Sequence, residues 1–329
     1  MKHVLEQLFA SKPLSKEQAR TALQDIAAGR VAEAHIISFL TVFMMRSITV
    51  EELDGFREAL LELCLRVDLG GLPTIDMCGT GGDGKNTFNI STTAMFVAAG
   101  AGLQVAKHGN YGVSSVSGSS NVLQELGHTF TNDVDELKRS IDRAGVCFMH
   151  APLFHPAMKA VGPIRQALGM RTFFNMLGPM VNPAFPPNQI VGVFSMELAR
   201  LYSYIYQTTT KRYIILRSLD GYDEISLTGQ FKLLGNTVEM LAEPSDLGLE
   251  QLREEDLAGG ASPKENAAMF LRILEGNGTA AQNAVVCANA GMAIHCVNSN
   301  LSLPDAVLAA RESLASGKAL RSFEAFMNK

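Results

Sequence analysis

Four glycines, Gly79, Gly81, Gly82 and Gly84, follow an apolar strand-like run from Leu72 to Cys78. Small hydroxyl residues come next, and Ala94 to Gly102 then reads as an apolar helix. A strand that turns on glycines into a helix is the building unit of an α/β domain. Glycine lets the backbone come close to a ligand and take a positive φ. The N–H groups that open the following helix point at whatever is bound, and the helix dipole favours an anion there. The stretch from Ile75 to Thr92 therefore reads as a phosphate cradle, against the plainer account of a tight strand-to-helix turn.

Two nucleotide-binding fingerprints match this stretch by letter, and its surroundings weaken both. Gly79-x-Gly81-x-x-Gly84 fits the dinucleotide pattern, which needs an acidic residue about 20 positions on for a ribose hydroxyl. No acidic residue occurs from Gly84 through Gln124; the first is Glu125. Gly79-x-x-x-x-Gly84-Lys85 fits a P-loop up to its last position, but residue 86 is Asn where a hydroxyl must hold Mg²⁺. Thr87 arrives one residue late, and one residue at a helix start turns a side chain by about 100°. What is left is a glycine-rich anion loop of another kind.

Residues 1 to about 70 are helical in character. Ser15-x-x-Gln18 and Thr49-x-x-Glu52 have the form of capping boxes, and apolar residues follow each at helical spacing. Ala32 to Met45 is apolar on most faces, which calls for burial, in part against a second subunit. From Leu72 short strands and helices alternate. Strands are expected at Leu72–Cys78, Leu103–Lys107, Val146–His150, Gln189–Phe194 and Tyr213–Arg217. Helices are expected near 91–101, 120–127, 133–143, 155–168, 197–208, 264–275, 279–297 and 303–316. The loop from Phe173 to Pro187 holds four prolines, too many for regular structure, and an ordered loop of that length is often functional.

Composition excludes several classes. Net charge is −5, which leaves no basic footprint for nucleic acid. The five cysteines are scattered and contain no C-x-x-C, so they read as reduced thiols of a cytoplasmic protein rather than disulfides or a zinc site. Lys2, His3 and Glu6 do not form a signal peptide. The apolar runs are shorter than the roughly 18 residues a membrane span needs.

Three further groups of residues carry chemistry. Lys107-His108-Gly109-Asn110-Tyr111-Gly112-Val113-Ser114-Ser115, continuing to Ser119, again lies between a strand and a helix. Two such units in succession put both loops at the carboxyl edge of a parallel sheet, where α/β proteins bind ligands. Two anion loops suit a ligand with phosphates at both ends; a flexible polar loop is the bland alternative. Asp223 and Glu224 follow the strand Tyr213–Arg217. Alone they are solvated charge or a cap; beside a polyphosphate site they suit Mg²⁺, with Ser91 as a third oxygen donor. Arg165 lies ten residues after His155, about 80° from eclipsed if both share one helix. Its guanidinium could clamp a carboxylate, or could simply lie on the surface.

Taken together, Gly79-Thr80-Gly81-Gly82-Asp83, Asn89-Ile90-Ser91-Thr92, Lys107-His108-Gly109-Asn110, Arg165, the Arg171–Asn175–Gly178-Pro179 segment and Asp223-Glu224 resemble the anthranilate phosphoribosyltransferases across essentially the whole chain. The resemblance implies a small helical N-terminal domain, 1–70, joined by part of 155–185. It also implies a large α/β domain, 71–329, with a central, mostly parallel sheet flanked by helices, of nucleoside phosphorylase/phosphoribosyltransferase class II type. A homodimer is implied, with no nucleic-acid or membrane partner. So is transfer of the phosphoribosyl group of 5-phosphoribosyl 1-pyrophosphate to the amine of anthranilate, in tryptophan biosynthesis.

The resemblance further implies the site. Gly79, Gly82, Asp83, Thr87, Asn89, Ile90, Ser91 and Thr92 would hold the pyrophosphate, and Lys107 to Ser115 with Ser119 the ribose phosphate side. Ser91, Asp223 and Glu224 would fix Mg²⁺, two ions per subunit. Gly79, Asn110, Arg165 and Pro179 would contact anthranilate; His108, Asn110 and Arg165 are the catalytic candidates. One position departs: Tyr111 stands where the family commonly has Arg, which puts that side chain's contribution in question but not the loop's backbone contacts. A pyrimidine nucleoside phosphorylase and a non-enzymatic nucleic-acid-binding relative are the alternatives. The first has no use for the Asp223–Glu224 pair, and the second is at odds with a net charge of −5.

Overall fold

The computed structural model describes residues 1–112 and 116–328. The chain forms two compact units, one from Met1–Val67 with Ala151–Phe185, the other from residue 68 to 150 and from 186 onward.

The first unit is built on helices Lys2–Phe9, Lys16–Ala27, Glu33–Met45 and Val50–Leu63. Both capping boxes form, Ser15 with Gln18 and Thr49 with Glu52, so two helix starts are satisfied by their own side chains. The later segment contributes Phe173, which stacks on Phe56 at 4.3 Å between ring centroids and meets Phe39 and Phe43 edge-on. Burying a phenyl ring stabilises by roughly 1.5–3 kcal/mol, enough for this one residue to anchor the returning chain to the bundle.

The expected helix over 155–168 is broken. A 3₁₀ turn occupies Pro156–Lys159 and a separate helix Gly162–Leu168. Pro163 is the cause: it has no N–H to bond back and its fixed φ suits a first turn. The angular relation of His155 to Arg165 on one helix therefore does not apply. The Phe173–Pro187 stretch is more regular than expected, with a helical turn at Phe174–Leu177 and a 3₁₀ turn at Gly178–Met180.

The second unit holds one seven-stranded sheet. Its strands are β1 (Ile75–Met77), β2 (Val105–Gly109), β3 (Val146–His150), β4 (Asn188–Gly192), β5 (Arg212–Ser218), β6 (Phe231–Gly235) and β7 (Glu239–Ala242). The order is β3-β2-β1-β4-β5-β6-β7; the first five strands run parallel and the last two antiparallel. Strands β1 to β4 are buried along their whole length, as parallel strands covered on both faces must be. The core is closed by helices that include Ile90–Gly100 and Ala280–Val297, and Phe96 meets Phe270, Phe323 and Phe326 edge-on. Strands β6 and β7 and the last helix, Lys318–Met327, go beyond the sequence expectation. Strand β7 is mostly open to solvent, so it lacks the apolar run that marks a buried strand.

Strand order reverses direction at β1 and β4. From β1 the chain crosses outward to β2 and β3, and on the other side it continues from β4 to β5. Loops leaving neighbouring strands at such a point diverge and open a crevice at the carboxyl ends. Among the described residues no helix is long and apolar enough to cross a membrane.

Candidate functional site

The glycine loop leaves β1 at this crevice, and the acidic pair arrives from the chain between β5 and β6. Gly192 ends β4 and Gly79 lies two residues beyond β1, and both leave room for Asp223. A Cβ on Gly79 would lie 2.6 Å from Asp223 Oδ2, and one on Gly192 would overlap the Asp223 carbonyl oxygen. Gly81 and Gly82 then take positive φ values of 63° and 79°, which turns the backbone so that the Gly81 N–H donates to Asp223 Oδ2 at 2.7 Å. The Thr80 N–H donates to the Gly192 carbonyl at 2.9 Å, tying the loop across the crevice.

Glu224 takes the start of helix Ile90–Gly100. Its Oε1 accepts from the Ser91 N–H at 3.0 Å, across 133 residues of sequence. The helix has no side-chain cap of its own, because Asn89 instead donates from Nδ2 to the Ser117 carbonyl and joins the two loops. The N–H at position 91 is thus occupied by protein rather than left open for phosphate. A carboxylate at a helix N-terminus is favoured by the dipole.

Lys107 lies on β2, and its ammonium is turned toward the first loop. It donates to the Met77 carbonyl, and to Ser91 Oγ at 3.4 Å. His108 emerges on the opposite face of the strand by the two-residue alternation. It is 3 % exposed, and its backbone N–H donates to Asp76 Oδ1. Asp83 accepts from the Lys85 and Asp223 N–H groups. Thr87 forms an isolated antiparallel bridge with Ala258, and Ile90 and Thr92 are buried.

The second loop is closed from within. A Cβ on Gly109 would press into the Phe148 ring, and the Asn110 carbonyl accepts from the Ser120 N–H and Ser119 Oγ. Asn121 Oδ1 accepts from both Gly112 and Gly118, each at 2.9 Å. The Tyr111 N–H donates to Asn110 Oδ1, and its ring lies edge-on to His150 at 4.8 Å. Val113, Ser114 and Ser115 lie outside the described residues.

Burial, and then the Asp83 carboxylate, raises the Asp223 carboxyl well above its ordinary range; burial, and then Asp223, does the same for Glu224. The pair is short of positive charge. Among the described residues no three His, Cys, Asp or Glu side chains form a metal cage. Two carboxylates and the Ser91 hydroxyl make an open set of hard oxygen donors, a set of the kind that suits Mg²⁺ together with waters and phosphate oxygens. These groups also line a small pocket with Met77, Cys78 and Asn289.

Arg165, in the first unit, donates to Asn175 Oδ1 at 3.3 Å and lies 5.3 Å from the centre of the Phe174 ring. It has no carboxylate partner among the described residues, and burial pulls its pKa down. A guanidinium stays charged regardless, so a mostly buried, uncompensated cation is left. Pro179 is buried in the 3₁₀ turn that follows. His155 is buried too, its pKa lowered to about 4 by loss of solvent, so it is neutral at pH 7.

Several residues that shape the site escape a reading of motifs. Gly192 lies in an ordinary strand, and Asn289 in an apolar helix, where it donates to and accepts from the Ile225 backbone just after Glu224. An amide set between apolar residues, Cys287-Ala288-Asn289-Ala290, was the available signal for Asn289. Gly192 offered none.

The comparisons with known proteins agree with the fold. Two family models match: the glycosyl transferase family helical bundle domain over residues 2–64 and the glycosyl transferase family a/b domain over residues 71–320. An anthranilate phosphoribosyltransferase from Christiangramia forsetii is 57% identical over 324 residues, 98% of each chain. Another from Bacteroides fragilis is 50% identical over 327 residues, 99% of each chain. Among solved structures, the anthranilate phosphoribosyltransferase from Thermus thermophilus superposes with a TM-score of 0.91 at 33% identity, covering 99% of both chains. The enzyme from Saccharomyces cerevisiae in complex with PRPP and Mg superposes with a TM-score of 0.91 at 30% identity, covering 98% of this chain and 96% of that one.

Proposed function

The chain belongs to the anthranilate phosphoribosyltransferases, and on that premise we propose how its residues divide the work. It transfers the phosphoribosyl group of 5-phosphoribosyl 1-pyrophosphate to the amine of anthranilate, giving N-(5-phosphoribosyl)anthranilate and pyrophosphate. The amine nitrogen forms a bond to ribose C1, the C1–O bond to pyrophosphate breaks, and the amine proton leaves.

The observation that carries the reading is the meeting of Asp223 and Glu224 with Gly81 and Ser91 at the carboxyl ends of the sheet. Ser91, Asp223 and Glu224 hold Mg²⁺, and Asp83 beside them makes the carboxylate count suit two ions. When bound, Mg²⁺ supplies positive charge for the departing pyrophosphate. Gly79 to Thr92 orient that group through hydroxyls and the backbone N–H groups not already taken, as those of Thr80, Gly81 and Ser91 are, by protein acceptors; such groups cost no reorganisation as charge develops. Residues from Lys107 to Ser119 wrap the ribose phosphate side. Asn110 and the Gly79 backbone take the amine. An arylamine is a weak nucleophile, so positioning supplies much of the acceleration. His108 is a candidate to accept the proton, but an alkylated arylamine sheds it readily and no strong base is required.

Arg165 grips the anthranilate carboxylate; what supports this is its buried charge without a carboxylate partner among the described residues. Arg165→Ala is expected to raise the anthranilate KM about 30-fold, as loss of a charged hydrogen bond does. The phosphoribosyl pyrophosphate KM should stay within about threefold, since the loss is confined to the carboxylate contact. Equal rises in both would remove Arg165 from that role. The reaction itself is tested by depletion of anthranilate fluorescence, which should require both phosphoribosyl pyrophosphate and Mg²⁺.

A homodimer goes with this reading. Ile37 and Met45 lie exposed on helix Glu33–Met45, and Phe9 is 65% exposed on helix Lys2–Phe9, apolar side chains that a second copy would cover. Sedimentation equilibrium should give twice the chain mass, and Met45→Glu should shift it toward the monomer.

A further inference from the structure

The far half of the glycine loop, Asp83 to Phe88, belongs to no helix or strand of the sheet, and Gly84 has a φ of 78°. Such a stretch is intrinsically free, yet it must hold one shape beside the acidic pair. Two sets of contacts restrain it. Backbone contacts tie it to the chain near Ala258: the Thr87–Ala258 bridge, and the Gly259 N–H donating to the Asn86 carbonyl at 2.8 Å.

The second restraint is made by side chains. Lys85 Nζ lies 2.7 Å from Glu254 Oε1 and 4.5 Å from the centre of the Tyr222 ring. Burial, and then the Glu254 carboxylate, raises the pKa of the Tyr222 phenol, so Lys85 and Tyr222 lie beside the same carboxylate. The Lys85 stem packs on Gly221, where a Cβ would come within 3.3 Å of Cε. Tyr222 is 3 % exposed and immediately precedes Asp223. The backbone of Lys85 is held as well, its N–H donating to Asp83 Oδ1 while Asp83 Oδ2 accepts from Asp223. Lys85 therefore joins the glycine loop to the acidic loop at both its backbone and its side chain.

We propose that Lys85, clasped by Tyr222 and Glu254, is a positioning residue that sets the glycine loop against Asp223 and Glu224 and thereby sets affinity for phosphoribosyl pyrophosphate with its metal. The role extends the phosphoribosyl transfer assigned above and rests on it. The clasp acts through the loop rather than by touching substrate. An exposed ion pair alone is weak; here a cation–π contact on a buried ring reinforces it.

Lys85→Met keeps the stem and removes the charge, Lys85→Arg restores a cation, and Glu254→Gln leaves Lys85 charged but unpaired. Lys85→Met and Glu254→Gln should each raise the phosphoribosyl pyrophosphate KM about five- to tenfold. The anthranilate KM and kcat should stay within about twofold, as for a change confined to binding of one substrate. Lys85→Arg should recover most of the loss. Amide hydrogen exchange in the absence of substrate and metal gives a second readout: residues 82–87 should exchange faster in both charge-removing variants. If Lys85→Met weakens phosphoribosyl pyrophosphate while Glu254→Gln leaves it unchanged or improves it, Lys85 touches the substrate directly and the clasp is overturned. Unaltered exchange in both variants overturns it as well. Wild-type turnover in the same assay tests the transfer reaction independently of either result.

Discussion

Asp223→Asn combined with Glu224→Gln is expected to lower kcat/KM by about 10³-fold, because in the proposed role it removes the charge that would draw Mg²⁺ and the support for a leaving pyrophosphate. The amides keep an oxygen that can accept from the Gly81 and Ser91 N–H groups, so both loops stay tied. Burial, and then a neighbouring carboxylate, Asp83 for Asp223 and Asp223 for Glu224, already raises both carboxyls from their ordinary range. Removing the charges should therefore leave the metal-free protein as stable as before, or raise its Tm by a few degrees. Loss of turnover with an unchanged or higher Tm is the signature of a site held against its own electrostatic cost. Turnover that keeps its Mg²⁺ dependence in the double variant would take both residues out of the metal site.

Gly192→Ala is the second large effect, and it is steric. The new methyl would overlap the carbonyl oxygen of Asp223, an atom of the main chain that no rotamer change can move. Either β4 shifts against β1 and β5, or the acidic loop is displaced. Overpacking of this kind costs about 1–3 kcal/mol, occasionally more. Activity should fall about 100-fold or more, since a displacement near 1 Å at a reacting centre has that scale of effect. At Gly79 the nearest atom is a terminal carboxylate oxygen, 2.6 Å away, on a side chain able to turn. Gly79→Ala should destabilise less, which thermal melts of the two variants will rank. A Gly192→Ala protein with wild-type activity and Tm would show that the acidic loop does not need this close approach.

The glycine loop, the Lys107–Asn110 motif and the five parallel strands were legible because each is written locally. The strand over Val146–His150 was legible to the residue, since a strand buried on both faces is a continuous apolar run. The break at Val161 was not, although Pro163 was visible, because a proline can either begin a helix or kink one. Strands β6 and β7 were missed for want of a continuous apolar run. Asp223 and Glu224 could be singled out in sequence but, without the resemblance, not told from solvated charge.

What the sequence determined by itself is local: the backbone freedom of Gly79 to Gly84, the capping boxes at Ser15 and Thr49, and the alternation of strands with helices. It also determined the set of groups available, carboxylates, hydroxyls and one arginine, and through their joint order the family. What only the tertiary structure decided is which of them meet. Asp223 reaches the Gly81 N–H across 142 residues, and Glu224 reaches the Ser91 N–H across 133. No local propensity encodes those pairs. They follow from a strand order that sets β1 beside β4 and β4 beside β5, and from the absence of a Cβ at Gly79 and Gly192, which lets the acidic loop lie in the crevice between them.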